Sequence, residues 1–168
     1  MIKCEVADIT HPGTEAIVSA ANGCGIMGAG VAGAIREAAG PDIETEARGI
    51  IKKRGRPFDE GSCYSTGSGL LRQRGVIKIY HAVTMKYPGG PSSLHFINLC
   101  IEESLEMSIK DNMESIAIPA LGTGIGRLEI NAVASIILQK SKRYDHLLDI
   151  FILDKNRLFI ETINKIKS

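Results

Sequence analysis

The stretch AIVSAAN at residues 16–22, followed by GAGVAGAI at residues 28–35, decides the fold of this chain. Residues 16–20 are short and apolar, which predicts a strand buried on both faces of a sheet. A glycine-rich stretch follows from Gly23 to Gly33, and the helix after it carries Ile35, Ala38 and Ala39 on one side. A strand that passes through glycines into a helix is the repeating unit of α/β proteins.

The same arrangement recurs near residue 120. An apolar strand is predicted from Ser115 to Pro119, the sequence ALGTGIG occupies residues 120–126, and a helix is predicted from Leu128 to Lys140. Glycines allow backbone N–H groups to approach an anion closely, and a helix N-terminus adds positive potential. Ligands of open α/β sheets bind outside the carboxyl ends of the strands. Two such loops therefore predict a site for a nucleotide diphosphate.

Strands and helices alternate along the rest of the chain. Repeated strand-then-helix units favour a central sheet that is covered on both faces. Neither a linker nor an internal repeat interrupts the pattern, so we expect one domain over residues 1–168. The further strands are predicted at Ile2 to Ala7, Cys63 to Thr66, Val76 to Val83 and Leu148 to Leu153, and the further helices at Pro41 to Arg54, Ser92 to Asp111 and Asn156 to Ile166.

Composition and charge restrict the classes of function. Hydrophobic residues make up 44% and charged residues 23%, which is typical of a folded globular protein. The formal net charge of +1 lacks the basic excess of proteins that grip nucleic acid, so a nucleic-acid partner is not expected. No apolar stretch approaches the roughly 20 residues that span a bilayer, and the N-terminus does not resemble a signal peptide. These features predict a cytoplasmic protein without a membrane partner.

Cysteines and histidines give no sign of a metal site. Cys4, Cys24, Cys63 and Cys100 lie far apart, without CxxC or zinc-finger spacing, so we expect free thiols and no metal. His81 lies within a predicted strand, which favours a hydrogen-bonded structural role over a catalytic one.

The first glycine loop matches G-x-G-x-x-G, the fingerprint of dinucleotide-binding folds. That fingerprint requires a tight turn directly after the strand, whereas residues 21–27 intervene here. It also requires a strand that ends in an acid about 20 residues later, whereas residues 46–53 favour a helix. We therefore expect no nicotinamide coenzyme and no other cofactor.

Taken together, the motifs resemble those of macro domains of the ADP-ribose-binding or ADP-ribose 1″-phosphate-processing type. The resemblance rests on DIT at 8–10, AIVSAAN at 16–22, GAGVAGAI at 28–35, HAV at 81–83 and IPALGTGIG at 118–126. Their order and intervals agree with the family, and the resemblance covers nearly the whole chain. It implies a three-layer α/β/α sandwich around a mixed sheet.

The resemblance also implies roles for individual residues. Asp8 would accept a hydrogen bond from the adenine amino group, the Ile9 backbone would contact the same ring, and Asn22 would face the distal ribose as the candidate catalytic residue. Turn capping by Asp8 and loop shaping by Asn22 remain the alternatives. The other expected ligand-binding positions are Ala20, Gly28, Ala29, Gly30, Val31, Gly122, Thr123, Gly124, Ile125 and Gly126 around the diphosphate and distal ribose, with Leu153 and Asp154 near adenine.

Three positions depart from the pattern of hydrolytic members. Ser19 stands where many have Asn, and Ala32 stands where they have the Asp credited with orienting the attacking water. Leu153 occupies the apparent position of an aromatic residue that stacks on adenine, and an aromatic contact contributes about 0.5–1.5 kcal/mol beyond area burial.

Two classes of function follow from the resemblance. The first is a module that binds ADP-ribose, either free or attached to protein. The second is a metal-independent hydrolase of ADP-ribose derivatives, namely O-acetyl-ADP-ribose, mono-ADP-ribosylated protein or ADP-ribose 1″-phosphate. A binder of poly(A) or another nucleic acid is a more distant third. Because Ala32 removes a carboxylate, we expect binding to dominate over turnover.

Overall fold

The computed structural model describes residues 1–168 and is built around one six-stranded sheet. The order across the sheet is β1-β6-β5-β2-β4-β3. All neighbouring strands are parallel except β3 and β4, which pair antiparallel, so the sheet is mixed as expected. The strands are β1 (Ile2–Val6), β2 (Ala16–Asn22), β3 (Cys63–Gly67), β4 (Lys78–Met85), β5 (Ser115–Ile118) and β6 (Asp149–Asp154).

Helices cover both faces of the sheet and complete three layers. On one face, Ile35 and Ile43 of the first two helices pack with Ile17 and Ile79. On the other face, the last three helices bury a larger apolar cluster that includes Phe159. The structure is therefore the α/β/α sandwich that the sequence predicts. The helices are α1 (Gly30–Ala39), α2 (Asp42–Arg54), α3 (Leu94–Lys110), α4 (Ile130–Tyr144) and α5 (Arg157–Lys167). None of them has both the length and the apolar character needed to cross a membrane.

The ends of several elements lie up to four residues from the predicted positions, as in α4, which reaches Tyr144 rather than Lys140. Strand β4 begins two residues later and ends two residues later than expected, at Met85. A short 3-10 helix from Gly69 to Arg74, which the sequence did not indicate, precedes this strand. Leu71 anchors that helix in the core, and left-handed glycines stand at both of its ends. Because only Leu71 of this short element is buried, its sequence shows no helical repeat of apolar residues, and the element could not be predicted.

The sheet order decides where a ligand can bind. Strands β1, β6, β5, β2 and β4 run in the same direction, so their carboxyl ends share one edge of the sheet. The segments that leave this edge begin, in spatial order, near Asp8, Asp154, Ala120, Asn22 and Met85. Both glycine loops emerge near the middle of this row.

Candidate functional site

A cleft of about 440 Å³ opens at the carboxyl edge of the sheet. Both glycine loops line it, together with residues at the ends of β2, β4 and β6. Most of the predicted ligand-binding residues meet there. These are Ala20, Asn22, Gly28, Ala29, Gly30, Val31, Gly122, Thr123, Gly124, Ile125, Gly126 and Asp154.

The first loop presents unused backbone donors to the cleft. The N–H groups of residues 28–32 donate no hydrogen bond within the protein, and all five residues line the cleft. Helix α1 starts at Gly30, and no side chain caps its N-terminus. A β-carbon at Gly28 or Gly30 would meet no atom within 4 Å, so the space beside these glycines is open. Unpartnered N–H groups at a helix N-terminus are an arrangement that favours anions.

A carboxylate behind the first loop fixes its conformation. Glu44 Oε2, on α2, accepts a hydrogen bond from the Met27 N–H at 2.7 Å. The Glu44 carboxylate also lies 3.7 Å from Arg36 Nε. Glu44 was not singled out in the sequence, because its loop partner is 17 residues away and carries no recognisable motif.

The second loop repeats the design from the other side of the cleft. The N–H groups of residues 122–126 also donate no hydrogen bond within the protein. Gly122 has a φ of +74°, and a β-carbon there would lie 2.7 Å from Leu128 Cδ1. Its carbonyl accepts from the Leu128 N–H at 2.9 Å, which closes the loop onto itself. The left-handed φ favours glycine at this position.

Asp154 holds the start of the second loop. Its Oδ2 accepts from the Ala120 N–H at 3.0 Å, and its Oδ1 accepts from the Asn156 N–H at 2.7 Å. Both carboxylate oxygens are thus occupied, although the side chain also lines the cleft. The contacts of Asp154 in the structure are therefore with the backbone of the cleft wall, which it holds in position.

The Asn22 amide is used mainly by its own loop. Its Oδ1 accepts from the N–H groups of Cys24 at 3.0 Å and Ile26 at 3.3 Å, and its Nδ2 donates to the Ile26 carbonyl at 2.8 Å. One Nδ2 hydrogen remains available to a ligand. The loop-shaping alternative for Asn22 therefore describes its observed contacts, while a catalytic role stays a prediction.

Asp8 lies beyond Asp154, outside the cleft lining. Its Oδ1 accepts from the Thr10 N–H at 2.9 Å and from Thr10 Oγ1 at 2.8 Å, and its Oδ2 lies 3.0 Å from Lys155 Nζ. The hydrogen bond from the Thr10 amide is the main cause that lowers the pKa of Asp8 to about 2. Asp8 is therefore ionised throughout the neutral range, and both of its oxygens act as acceptors.

Two residues assigned to adenine have their side chains in the core. Ile9 is 6% exposed and Leu153 is 3% exposed, and both belong to the cluster beneath α1. Leu153 faces this cluster because side chains alternate along β6, with Ile152 on the opposite face. The Leu153 side chain has almost no free surface with which to cover a base, and neither residue lines the cleft. Their contacts with adenine stay predictions.

The two other departures from hydrolytic members are also buried. Ala32 is 6% exposed at the first turn of α1, on the cleft side. Ser19 is fully buried in β2, and its hydroxyl has no hydrogen-bond partner. Ser19 does not reach the cleft, so only Ala32 alters the chemistry of the cleft wall directly.

One end of the cleft is formed by residues that carry no recognised motif. The last residue of β4, Met85, lines this end together with Pro88 and Gly89 of the turn that follows, and Ile26 comes from the loop after β2. Ile26 is 39% exposed and Ile125 of the second loop is 64% exposed, so this end has an apolar rim. The turn YPGG at residues 87–90, directly after a buried strand, was the available signal.

A second depression of about 650 Å³ lies on the outer side of the first loop. It shares Gly28, Ala29 and Gly30 with the cleft, and Arg36 and Glu37 supply its only charges. It is shallow and open, and the second loop takes no part in it. Of these two depressions, only the cleft is lined by both loops.

His81 is structural. It is fully buried, its Nε2 lies 2.9 Å from Thr66 Oγ1, and its ring stacks on Tyr64 with centroids 4.7 Å apart. Burial lowers the pKa of His81 to about 3, so the imidazole is neutral. The structure contains no group of three or more His, Cys, Asp or Glu side chains that could hold a metal ion.

The fold and the cleft define a class: an α/β protein with a cleft between two glycine loops at the carboxyl edge of its sheet. The chain belongs to the macro domain family, whose model matches residues 18–137. A protein of Aquifex aeolicus is 32% identical over 167 residues, covering 98% of this chain and 96% of that protein.

Solved structures agree with this assignment. The macrodomain of Mycobacterium tuberculosis DarG has a TM-score of 0.80 and 27% identity, covering 92% of this chain and 97% of that one. A single-residue variant of the Oceanobacillus iheyensis macrodomain, solved with ADP-ribose, has a TM-score of 0.85 and 24% identity, covering 99% and 93%. At 24% identity, this likeness shows that the two proteins share a fold.

Proposed function

We propose that the protein binds ADP-ribose and ADP-ribosyl groups in the cleft. The observation that carries the proposal is the pair of facing loops, each with five cleft-lining residues whose backbone N–H groups have no partner in the protein. Unsatisfied N–H groups beside a helix N-terminus favour phosphate oxygens. Two such loops across one cleft fit two linked phosphates better than one.

The order of strands at the sheet edge supports the orientation of the ligand. Asp8 and Asp154 lie at one end of the row and Met85 lies at the other, with the loops between them. Adenine would bind towards Asp8, and the distal ribose would bind towards Asn22 and the apolar rim.

Recognition, rather than rapid turnover, fits the groups in the cleft. Asp154 is the only carboxylate in the lining, and backbone N–H groups occupy both of its oxygens. The Asn22 amide has one free hydrogen and no free acceptor position. Asp154 holds the protein backbone through both of its oxygens, the Asn22 amide is not a base, and Ala32 supplies no carboxylate. Hydrolysis of mono-ADP-ribosylated protein or O-acetyl-ADP-ribose should therefore be slow.

Calorimetric titration tests the proposal. We expect ADP-ribose to bind in the micromolar range or tighter, followed by ADP and then by AMP, because AMP offers one phosphate to two loops. Equal affinities for ADP-ribose and AMP would contradict it. Parallel assays of ADP-ribose release from modified protein and of acetate release from O-acetyl-ADP-ribose separate a binder from a hydrolase.

A further inference from the structure

An ion pair stands at the base end of the cleft. Lys155 Nζ lies 3.0 Å from Asp8 Oδ2. Asp8 follows β1 and Lys155 follows β6, and these strands are neighbours, with Val6 opposite Asp154. The residues on either side of Lys155, Asp154 and Asn156, both line the cleft. The pair therefore borders the place where the ligand's base would bind.

The two oxygens of Asp8 are not equivalent. Thr10 saturates Oδ1 through its N–H and its hydroxyl, whereas Oδ2 has Lys155 as its only partner. Lys155 has three N–H donors, of which Asp8 uses one. The Lys155 side chain is 73% exposed and can shift to share Oδ2 with a ligand. A base that reaches this position would contact an acceptor, Asp8 Oδ2, and a charged donor, Lys155 Nζ, beside each other.

Such a pair matches the edges of two kinds of purine. Adenine offers an amino donor beside ring-nitrogen acceptors, and 6-oxopurines offer the O6 acceptor beside a ring N–H donor. A carboxylate alone suits adenine and repels O6. An ammonium beside it supplies the donor that O6 needs, as lysine does when it recognises guanine O6. The carboxylate then accepts from the ring N–H.

Resting on the proposed function, we infer that Lys155 sets the base selectivity of the cleft. The Asp8–Lys155 pair accepts hypoxanthine as well as adenine, so inosine diphosphate ribose is a second ligand. Adenine donates its amino hydrogen to Asp8 Oδ2. Hypoxanthine donates its N1–H to the same oxygen, and its O6 accepts from Lys155.

Calorimetry with ADP-ribose and inosine diphosphate ribose tests the inference, because these ligands differ only at position 6 and in the N1 proton. The wild type should bind both within about fivefold. Lys155→Met should weaken inosine diphosphate ribose about tenfold, since a hydrogen bond to a charged group is lost, and should leave ADP-ribose within about threefold. Lys155→Arg keeps a charged donor and should retain the second ligand. Lys142→Met, an exposed lysine on α4, is the matched control.

Three results would overturn the inference. One is a wild type that binds inosine diphosphate ribose more than about fivefold more weakly than ADP-ribose. Another is an equal loss of both ligands in Lys155→Met, which would assign Lys155 to the diphosphate. The third is a ratio of the two ligands' dissociation constants that is the same in Lys155→Met as in the wild type. Asp8→Ala should weaken both ligands, about tenfold or more. Failure of the proposed function appears differently, as wild-type ADP-ribose affinity no better than that of AMP.

Discussion

Asp154 Oδ2 accepts a hydrogen bond from the Ala120 N–H at 3.0 Å, which ties the end of β6 to the first residue of the second glycine loop. The other oxygen of Asp154 holds the Asn156 N–H at 2.7 Å, just before α5. One carboxylate therefore sets the position of the loop relative to the base end of the cleft.

Asp154→Asn should weaken ADP-ribose binding by about tenfold, because an amide has one acceptor oxygen for two N–H donors and directs its own N–H₂ at the other. The protein should stay folded by circular dichroism. Glu161→Gln, an exposed acid on α5, is the control for the loss of one negative charge. Unchanged affinity in Asp154→Asn would show that this tie does not position the loop for the ligand.

Gly28→Glu should abolish ADP-ribose binding without unfolding the protein. The space beside Gly28 is open, and its φ is not in the left-handed region, so the substitution adds a bulky anion without backbone strain. Gly30 is a poorer probe because its φ of +59° would strain any other residue. Gly49→Glu, at an equally open glycine on α2, is the control and should bind normally. If Gly28→Glu binds ADP-ribose within about threefold of the wild-type affinity, the first loop does not contact the ligand.

Ala32→Asp should increase hydrolysis of mono-ADP-ribosylated protein at similar affinity, because one positioned acid–base group contributes about 10²–10⁴ in rate. The new carboxylate would lie in the first turn of α1, where the helix dipole favours it. Ala32→Asn controls for size and polarity and should remain slow. A fast wild-type enzyme whose activity is lost in Asn22→Ala would contradict the assignment as a binder.

Acid should destabilise the fold through His81. The pKa of His81 is lowered to about 3 in the native state from an ordinary value of 6.5. Between these two pH values the imidazole is protonated in the unfolded chain but neutral in the native protein. Stability should therefore fall as the pH drops from 6.5 towards 3, by up to about 1.4 kcal/mol per pH unit.

Urea unfolding at pH 4, 5, 6 and 7 measures this slope in wild type and His81→Phe, which keeps a ring against Tyr64. The variant should have a shallower slope, and His146→Gln controls for the loss of an exposed histidine. Asp8, whose pKa is lowered to about 2, also loses its stabilising effect in acid, but below pH 4. An identical slope in His81→Phe would contradict the assignment.

The sequence predicted the parts of the site that depend on local pattern. The spacing of glycines after buried strands identified residues 28–31 and 122–126, which line the cleft. A loop between a strand and a helix can be predicted in this way because its pattern lies within a few neighbouring residues. The sheet order was not predictable, because parallel neighbours such as β1 and β6 are nearly 150 residues apart.

What the sequence missed depends on such distant pairings. Glu44 reaches Met27 only because α2 packs beside the first loop, and Lys155 reaches Asp8 only because β1 and β6 are neighbours. Leu153 was assigned to adenine through the resemblance, as the apparent position of the aromatic residue that stacks on the base. The alternation of side chains along β6 instead turns it into the core.

The central claim is that the two loops together hold a diphosphate, and a calorimetric comparison of ADP-ribose, ADP and AMP on the wild-type protein tests it most directly. The account predicts that ADP binds at least about tenfold more tightly than AMP, since the second phosphate gains charge-assisted hydrogen bonds, and that ADP-ribose binds most tightly. Equal affinity for ADP and AMP would show that only one loop contacts phosphate and would contradict the account.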